Sequence, residues 1–236
     1  MHVLITNDDG YRAPGLRALA ESVSALGLEA TVVAPSAPMS GASQSRRSGI
    51  AAEWAWAEPI AGIPTIHLSS TPAACVVFAL TSGVLPPADL CLSGVNAGEN
   101  LGGTLNVSGT YGAVLEAAAR GVPGIALSRE FGGPWTEPET WDWSWVPDAA
   151  TRTLAPLLAA RADWFTANVN LSGTDRGADP ARTRVSRALY YTDTYDVARG
   201  SIVSVIGYRS DDLAPDDDIQ AFGEQKRTSI TLFPRA

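Results

Sequence analysis

Two adjacent carboxylates, Asp8 and Asp9, follow directly on a short apolar run, His2-Val3-Leu4-Ile5, within the segment Thr6-Asn7-Asp8-Asp9-Gly10. Like charges a few ångströms apart at the tip of a buried strand repel one another and resist burial unless something positive lies between them. A divalent cation meets that need. The alternative is a polar turn, since Asn, Asp and Gly favour turns through local hydrogen bonds. Two more stretches leave apolar segments with short oxygen-bearing side chains: Ser40-Gly41-Ala42-Ser43 and Ser93-Gly94-Val95-Asn96. Carboxylate, hydroxyl and amide oxygens are hard ligands, suited to magnesium, manganese or calcium rather than zinc. His2 and His67, the 2 histidines of the chain, both fall in strand-like segments, which leaves zinc little to draw on. A site with only two charged ligands leaves a divalent ion with no excess negative charge and keeps positions for water and an anionic substrate, the arrangement expected for hydrolysis of a phosphate ester.

A second feature agrees. Gly98, Gly102 and Gly103 loosen a loop, and Ser108-Gly109-Thr110 then opens a helical segment. A helix N-terminus presents unpaired N–H groups and a positive dipole end, which makes it a phosphate cradle. Ser or Thr at such a position also serves as an ordinary cap, and the residues alone leave the two uses open.

The first 130 residues alternate strand-like and helix-like patterns, as a parallel sheet with helices on its faces requires. Strands are expected at Met1 to Thr6, Glu29 to Ala34, Ile50 to Trp56, around Ile66 to Leu68, at Ala88 to Leu92 and at Gly124 to Ser128. Pro14 suits a first helical turn, and Leu16, Leu19, Ala20, Val23 and Leu26 keep helical spacing up to Gly27. Thr71-Pro72 pairs a cap with a first-turn proline and opens Ala73 to Leu80; another helix carries Ala113 to Ala119. In this arrangement all three oxygen-rich loops leave strand carboxyl ends, where open parallel sheets bind ligands. Phe131 to Val146 then holds Trp135, Trp141, Trp143 and Trp145 among prolines and acids, a candidate cover over the site or protomer contact, with core packing the ordinary use. A helix near Asp148 to Ala160 and a strand near Phe165 to Leu171 precede a region that reads as strands and hairpins beyond Arg182, ending in Ser229 to Phe233.

At 236 residues and 45% hydrophobic content the chain can bury one large core, so residues 1–236 are expected to form a single domain. The formal charge of −8 argues against a stable nucleic-acid partner, which usually needs a basic stripe, and Arg46-Arg47 reads as a solvated loop. No stretch suggests a membrane span or a leader. Cys75 and Cys91 sit in apolar runs like buried thiols and make no disulfide framework, so a cytoplasmic home is expected. Receiver domains also carry acids after their first strand and bind magnesium. They need an aspartate where this chain has Leu92-Ser93-Gly94, and are about half as long, so that reading fails.

Thr6-Asn7-Asp8-Asp9-Gly10 with Ala13-Pro14-Gly15, Val33-Ala34-Pro35, Ser40-Gly41-Ala42-Ser43, Thr71-Pro72-Ala73, Ser93-Gly94-Val95-Asn96-Ala97-Gly98 and Ser108-Gly109-Thr110 resembles, in order and spacing, the SurE family of survival-protein nucleotidases. These motifs cover roughly residues 1–130, with weaker echoes at Asn168-Val169-Asn170, Arg184-Val185-Ser186 and Ser229-Ile230-Thr231. The resemblance implies a metal-dependent phosphatase of nucleoside 5′- or 3′-monophosphates. It makes Asp8, Asp9, Ser40 and Asn96 the metal ligands and places Asn100, Ser108, Gly109 and Thr110 beside the phosphate. The chain departs from the family at Ser36-Ala37-Pro38-Met39, where charged or amide residues are usual, and at Ser70 and Ala74, which flank Thr-Pro-Ala in place of Gly and Asp.

The combined expectation is an α/β fold of three layers, a Rossmann-like parallel sheet with a C-terminal β-hairpin extension. Residues 1–130 would form the metal- and phosphate-binding core and 183–236 a β-rich oligomerisation extension. Asp8 and Asp9 would be both ligands and catalytic groups, with one magnesium or manganese ion per protomer and calcium as an acceptable substitute in a crystal. Competing readings are a phosphatase of a specialised small-molecule phosphate and a catalytically idle nucleotide-binding relative. Tyr191 to Tyr195 and Ile202 to Ile206 alternate like a long hairpin that cannot bury itself, and the resemblance favours its exchange in a homodimer, with a tetramer as the alternative.

Overall fold

A computed structural model describes residues 1–46, 49–133, 137–208 and 210–235. Nine strands form one sheet, in the order β3-β4-β2-β1-β5-β6-β7-β11-β8. β1 (His2–Thr6), β2 (Glu29–Pro35), β4 (Ile63–Leu68), β5 (Leu90–Ala97), β6 (Gly124–Arg129) and β7 (Thr166–Leu171) are its parallel centre. β3 (Trp54–Ile60) and β11 (Ser229–Phe233) add antiparallel neighbours, and β8 (Ala181–Thr183) closes one edge. Chain order reverses at β1, which pairs with β2 on one side and β5 on the other, so its carboxyl end opens on the crevice where such sheets bind ligands.

Pleating sends alternate residues of β1 to opposite faces. Val3 and Ile5 meet Leu16, Leu19 and Val23 of α1 (Pro14–Ala25) and Leu154 and Leu157 of α4 (Val146–Ala159). Leu4 joins Ile66, Val76, Ala113 and Ala117 on the other face, under α2 (Pro72–Thr81) and α3 (Gly109–Ala118). The expected three layers are therefore present. The Thr71 hydroxyl accepts the Ala74 amide at 3.3 Å, so α2 begins where its cap and proline indicate.

Three expectations need correction. The strand read at Ala88 to Leu92 runs from Leu90 to Ala97, so Ser93-Gly94-Val95-Asn96 is part of β5, paired with β6, rather than a loop leaving it. The strand read at Ile50 to Trp56 runs instead from Trp54 to Ile60, because Ala61 and Gly62, both at positive φ, close a tight hairpin that aligns Trp54 with Leu68 and Ile60 with Ile63. Beyond Arg182 the chain is not only strands and hairpins. Ser210–Asp212 forms a 3-10 turn and Gln220–Glu224 a π-helical turn, entered where the Asp218 carboxylate accepts the Ile219 amide at 2.8 Å.

The hairpin of β9 (Tyr191–Asp196) and β10 (Ser201–Ile206) is a separate two-stranded antiparallel sheet that pairs Tyr191 with Ile206 and Asp196 with Ser201. Its base is secured to the loop after β5: Gly103 donates to the Ala188 carbonyl at 2.8 Å, and Leu101, Tyr190, Ile219 and Phe222 form a small core there. Farther out, Tyr195, Val197, Ile202 and Val205 are exposed. In the tryptophan-rich insert, Trp135 lies outside the described residues. Trp141, Trp143 and Trp145 surround the Arg129 guanidinium at 5.2, 5.0 and 5.2 Å from their ring centres, so these three pack against the end of β6. Cys75 and Cys91 are buried free thiols, as expected, and burial pushes the Cys91 thiol up to about 12.

Candidate active site

Asp8 and Asp9 stand just past β1, where the chain leaves the sheet, and line a cavity of about 540 Å³. Asn7 shapes that exit: its amide Nδ2 donates to the Gly10 carbonyl at 3.0 Å and its Oδ1 accepts the Gly10 amide at 3.2 Å. Asp8 is only 4% exposed. Its Oδ1 accepts the Thr110 hydroxyl at 2.7 Å, while Asp9 Oδ2 accepts the Ala97 amide at 3.0 Å. Burial holds the Asp8 carboxyl above the usual carboxylate range, and burial followed by the neighbouring Asp8 charge does the same for Asp9. A buried acid beside a half-buried one, both raised, is a pair that a nearby positive charge would stabilise.

Ser40 and Asn96 reach the same cavity from the loop after β2 and the end of β5. Asn96 Nδ2 donates to the Gly98 carbonyl at 2.7 Å, which fixes the amide and leaves its Oδ1 as an acceptor toward the cavity. Two carboxylates, a hydroxyl and an amide oxygen thus converge, and all four donors suit a hard divalent cation.

The helix-opening segment divides its tasks. Ser108 lines the cavity and caps α3, its hydroxyl accepting the Tyr111 amide at 3.1 Å. Thr110 is fully buried and turned onto Asp8. A Cβ on Gly109 would lie 2.7 Å from Asp8 Oδ2, so only glycine lets the helix start this close to the carboxylate. Asn100 also lines the cavity. Its backbone is clamped from β7: Asn170 Oδ1 accepts the Asn100 amide at 2.7 Å, and the Asn168 and Asn170 side chains donate to its carbonyl at 2.8 and 3.1 Å. All eight residues singled out in the sequence therefore gather at one place, six on the cavity wall and Gly109 and Thr110 behind Asp8.

The family model described as Survival protein SurE matches residues 3–192. The 5′-nucleotidase SurE of Azorhizobium caulinodans is 32% identical over 247 residues, covering 98% of this chain and 91% of that one. This chain belongs to the SurE family. The SurE protein from Aquifex aeolicus has a crystal structure that matches with a TM-score of 0.77 and 25% identity, over 100% of this chain and 94% of that one. The 5′-nucleotidase SurE of Methanopyrus kandleri is 39% identical over 137 residues, a stretch that spans 49% of that relative's length and 55% of this chain.

Within this SurE-family site, sequence reasoning passed over Glu99, Thr104, Val107, Pro138 and Tyr191, which complete the cavity wall. Glu99 carried one visible signal, an acid set inside the glycine-rich Ala97-Gly98-Glu99-Asn100 turn. Tyr191 and Pro138 carried none, since they arrive from the hairpin and the tryptophan-rich insert.

Proposed function

We propose that this chain is a divalent-cation-dependent phosphomonoesterase acting on nucleoside monophosphates, with Asp8, Asp9, Ser40 and Asn96 holding one magnesium or manganese ion. The observation that carries this reading is buried Asp8 beside half-buried Asp9, lining a cavity with hard oxygen donors at the switch point of a parallel sheet. The printed name of the relatives, 5′-nucleotidase SurE, supports the substrate class. A bound cation supplies Lewis-acid polarisation of a phosphoryl oxygen and lowers the pKa of a bound water.

The protein's own contribution is positioning and proton handling. Thr110 holds Asp8 Oδ1 and the Ala97 amide holds Asp9 Oδ2, so a hydrogen bond orients each aspartate at the cavity wall. Ser108, at the start of α3, and Asn100, clamped by β7, stand where a phosphate would be bound and oriented. Asp9, next to the site and less enclosed than Asp8, is placed to take a proton from the attacking water. Asn96, with its amide fixed by Gly98, keeps an acceptor in one orientation through the reaction.

The exposed apolar residues of the β9–β10 ribbon support a homodimer built by that ribbon, and two buried thiols suit a reducing cytoplasm. Among the described residues no helix is long and apolar enough to cross a membrane. The deciding experiment is phosphate release from nucleoside 5′- and 3′-monophosphates and sugar phosphates after treatment with EDTA. Activity should vanish and return with manganese or magnesium more fully than with zinc. Full activity in metal-free buffer would refute the site. A preference for a sugar phosphate would favour the specialised phosphatase.

A further inference from the structure

We infer that Glu116, about two helical turns beyond Gly109 on α3, is a positioning residue for Ser40, acting through the side chain of Gln44. The inference rests on the reading of Ser40 as a cation ligand and adds what holds it in place. Ser40 reaches the cavity from the long connection between β2 and β3, where Ser40, Gly41, Gln44, Ser45 and Arg46 are all exposed. An exposed segment buries little apolar surface, so hydrogen bonds must fix it if a ligand it carries is to be preorganised.

The bonds on both sides of Ser40 lead back to the framework of the site. Met39 donates its amide to the Asp8 carbonyl at 2.7 Å, and Ala42 closes a turn by donating to the Met39 carbonyl at 3.2 Å. Ser43 then docks on the entry to α3. Its amide donates to the Val107 carbonyl at 3.3 Å and its hydroxyl to the Asn106 carbonyl at 2.9 Å. The last tether is Gln44, whose Nε2 donates to Glu116 Oε2 at 2.8 Å across 72 residues of chain.

One face of α3 receives this loop. Gly109, Gly112 and Glu116 recur at spacings of three and four, which places them on the same side of the helix. Gly109 admits Asp8, and Gly112 admits the backbone of Ser43, whose carbonyl oxygen a Cβ there would overlap. Glu116 follows in the same row and holds Gln44. It is only 3% exposed, and Arg120, one turn on, pairs with its other oxygen. Both carboxylate oxygens are thus occupied, one by the helix and one by the loop. Arg46 adds a weaker, half-exposed pairing at 3.8 Å. The helix that touches Asp8 at its first turn therefore also fixes, two turns later, the loop that carries Ser40.

The test is calorimetric titration of the metal-free full chain with manganese. Gln44→Ala should weaken manganese binding about tenfold, the lower end of the loss expected when a group supporting a ligand is removed. It should lose no more than Ser40→Ala, because the tether can forfeit only the ligand it positions. In the Ser40→Ala background, Gln44→Ala should then change the affinity by less than about twofold, and likewise in Glu116→Ala. Gln44→Lys, which offers an ammonium donor to the same carboxylate, should recover most of the affinity. The Ser40 cycle and Gln44→Lys decide the matter if Glu116→Ala does not fold. Wild-type affinity in Gln44→Ala, with only a lower melting temperature, makes the tether merely structural and overturns the inference. A loss that persists undiminished in the Ser40→Ala background, or in Gln44→Lys, overturns it as well. Unchanged affinity in Ser40→Ala removes Ser40 from the ligand set, and the inference with it, while leaving Asp8 and Asp9. A wild-type protein that binds no manganese overturns the cation site itself.

Discussion

Replacing Thr110 by Val removes one hydroxyl from behind the cation site and changes almost nothing else. The side chain is fully buried, Val has nearly the same shape, and the cap of α3 is Ser108, which stays in place. What disappears is the 2.7 Å hydrogen bond to Asp8 Oδ1. A hydrogen bond to a charged partner contributes about 1.5–3 kcal/mol. Asp8 would then be buried with one donor fewer, so its ionised form, the form that binds a cation, loses that stabilisation. Converted to an equilibrium, the loss is about 10- to 100-fold in cation affinity, the range typical when a group supporting a metal ligand is removed. Calorimetric titration of the metal-free protein with manganese measures this directly, and activity at saturating manganese should largely recover. Thr110→Ser should restore most of the affinity. If Thr110→Val left cation affinity unchanged and raised KM for the phosphate ester instead, Thr110 would face the phosphate, and its assignment as a positioning residue for Asp8 would be wrong.

Gly109→Ala should place a methyl group 2.7 Å from Asp8 Oδ2 and force the carboxylate or the helix aside, costing about 1–3 kcal/mol of stability and most of the activity, read by thermal melting and phosphate release. Asp218 provides a pH test. Burial, outweighing three backbone donors from Gly102, Ser186 and Ile219, pushes its carboxyl up to about 6. An acid raised in the folded state is stabilising when neutral, so this contribution is present below the unfolded value near 4 and is lost as pH rises to about 6, at most about 3 kcal/mol. The difference in stability between wild type and Asp218→Asn should therefore shift against the wild type across that window and be flat above it; a flat difference throughout would refute the shift. Replacing residues 193–204 with a short Gly-rich turn spares Tyr191 and removes the exposed ribbon. Light scattering should then report monomers where the full chain gives dimers, and a wild-type monomer at micromolar concentration would end the dimer proposal.

Chain-local information was enough to find the ligands proposed for the cation. Asp8 and Asp9 are covalent neighbours placed at a strand end by the apolar run before them, and Asn96 sits at the end of another apolar run. Pro14 and Thr71-Pro72 likewise announced their helices, because caps and first-turn prolines act within a few residues. The register of β3 was less legible: the exposed strand tolerates Trp54 and Trp56 on its surface, and the Ala61–Gly62 turn rather than any hydrophobic pattern aligns it. What holds and shapes the site was decided by tertiary structure alone. Thr110 meets Asp8 across 102 residues, Tyr191 meets Glu99 across 92, and Asn170 takes the Asn100 amide across 70. Those partners are chosen by the crossover connections and strand order that bring distant segments to one end of the sheet. A polar side chain carries no sign in its own neighbourhood of which remote group will satisfy it, so the sequence marks the ligands and the fold chooses the residues that orient them.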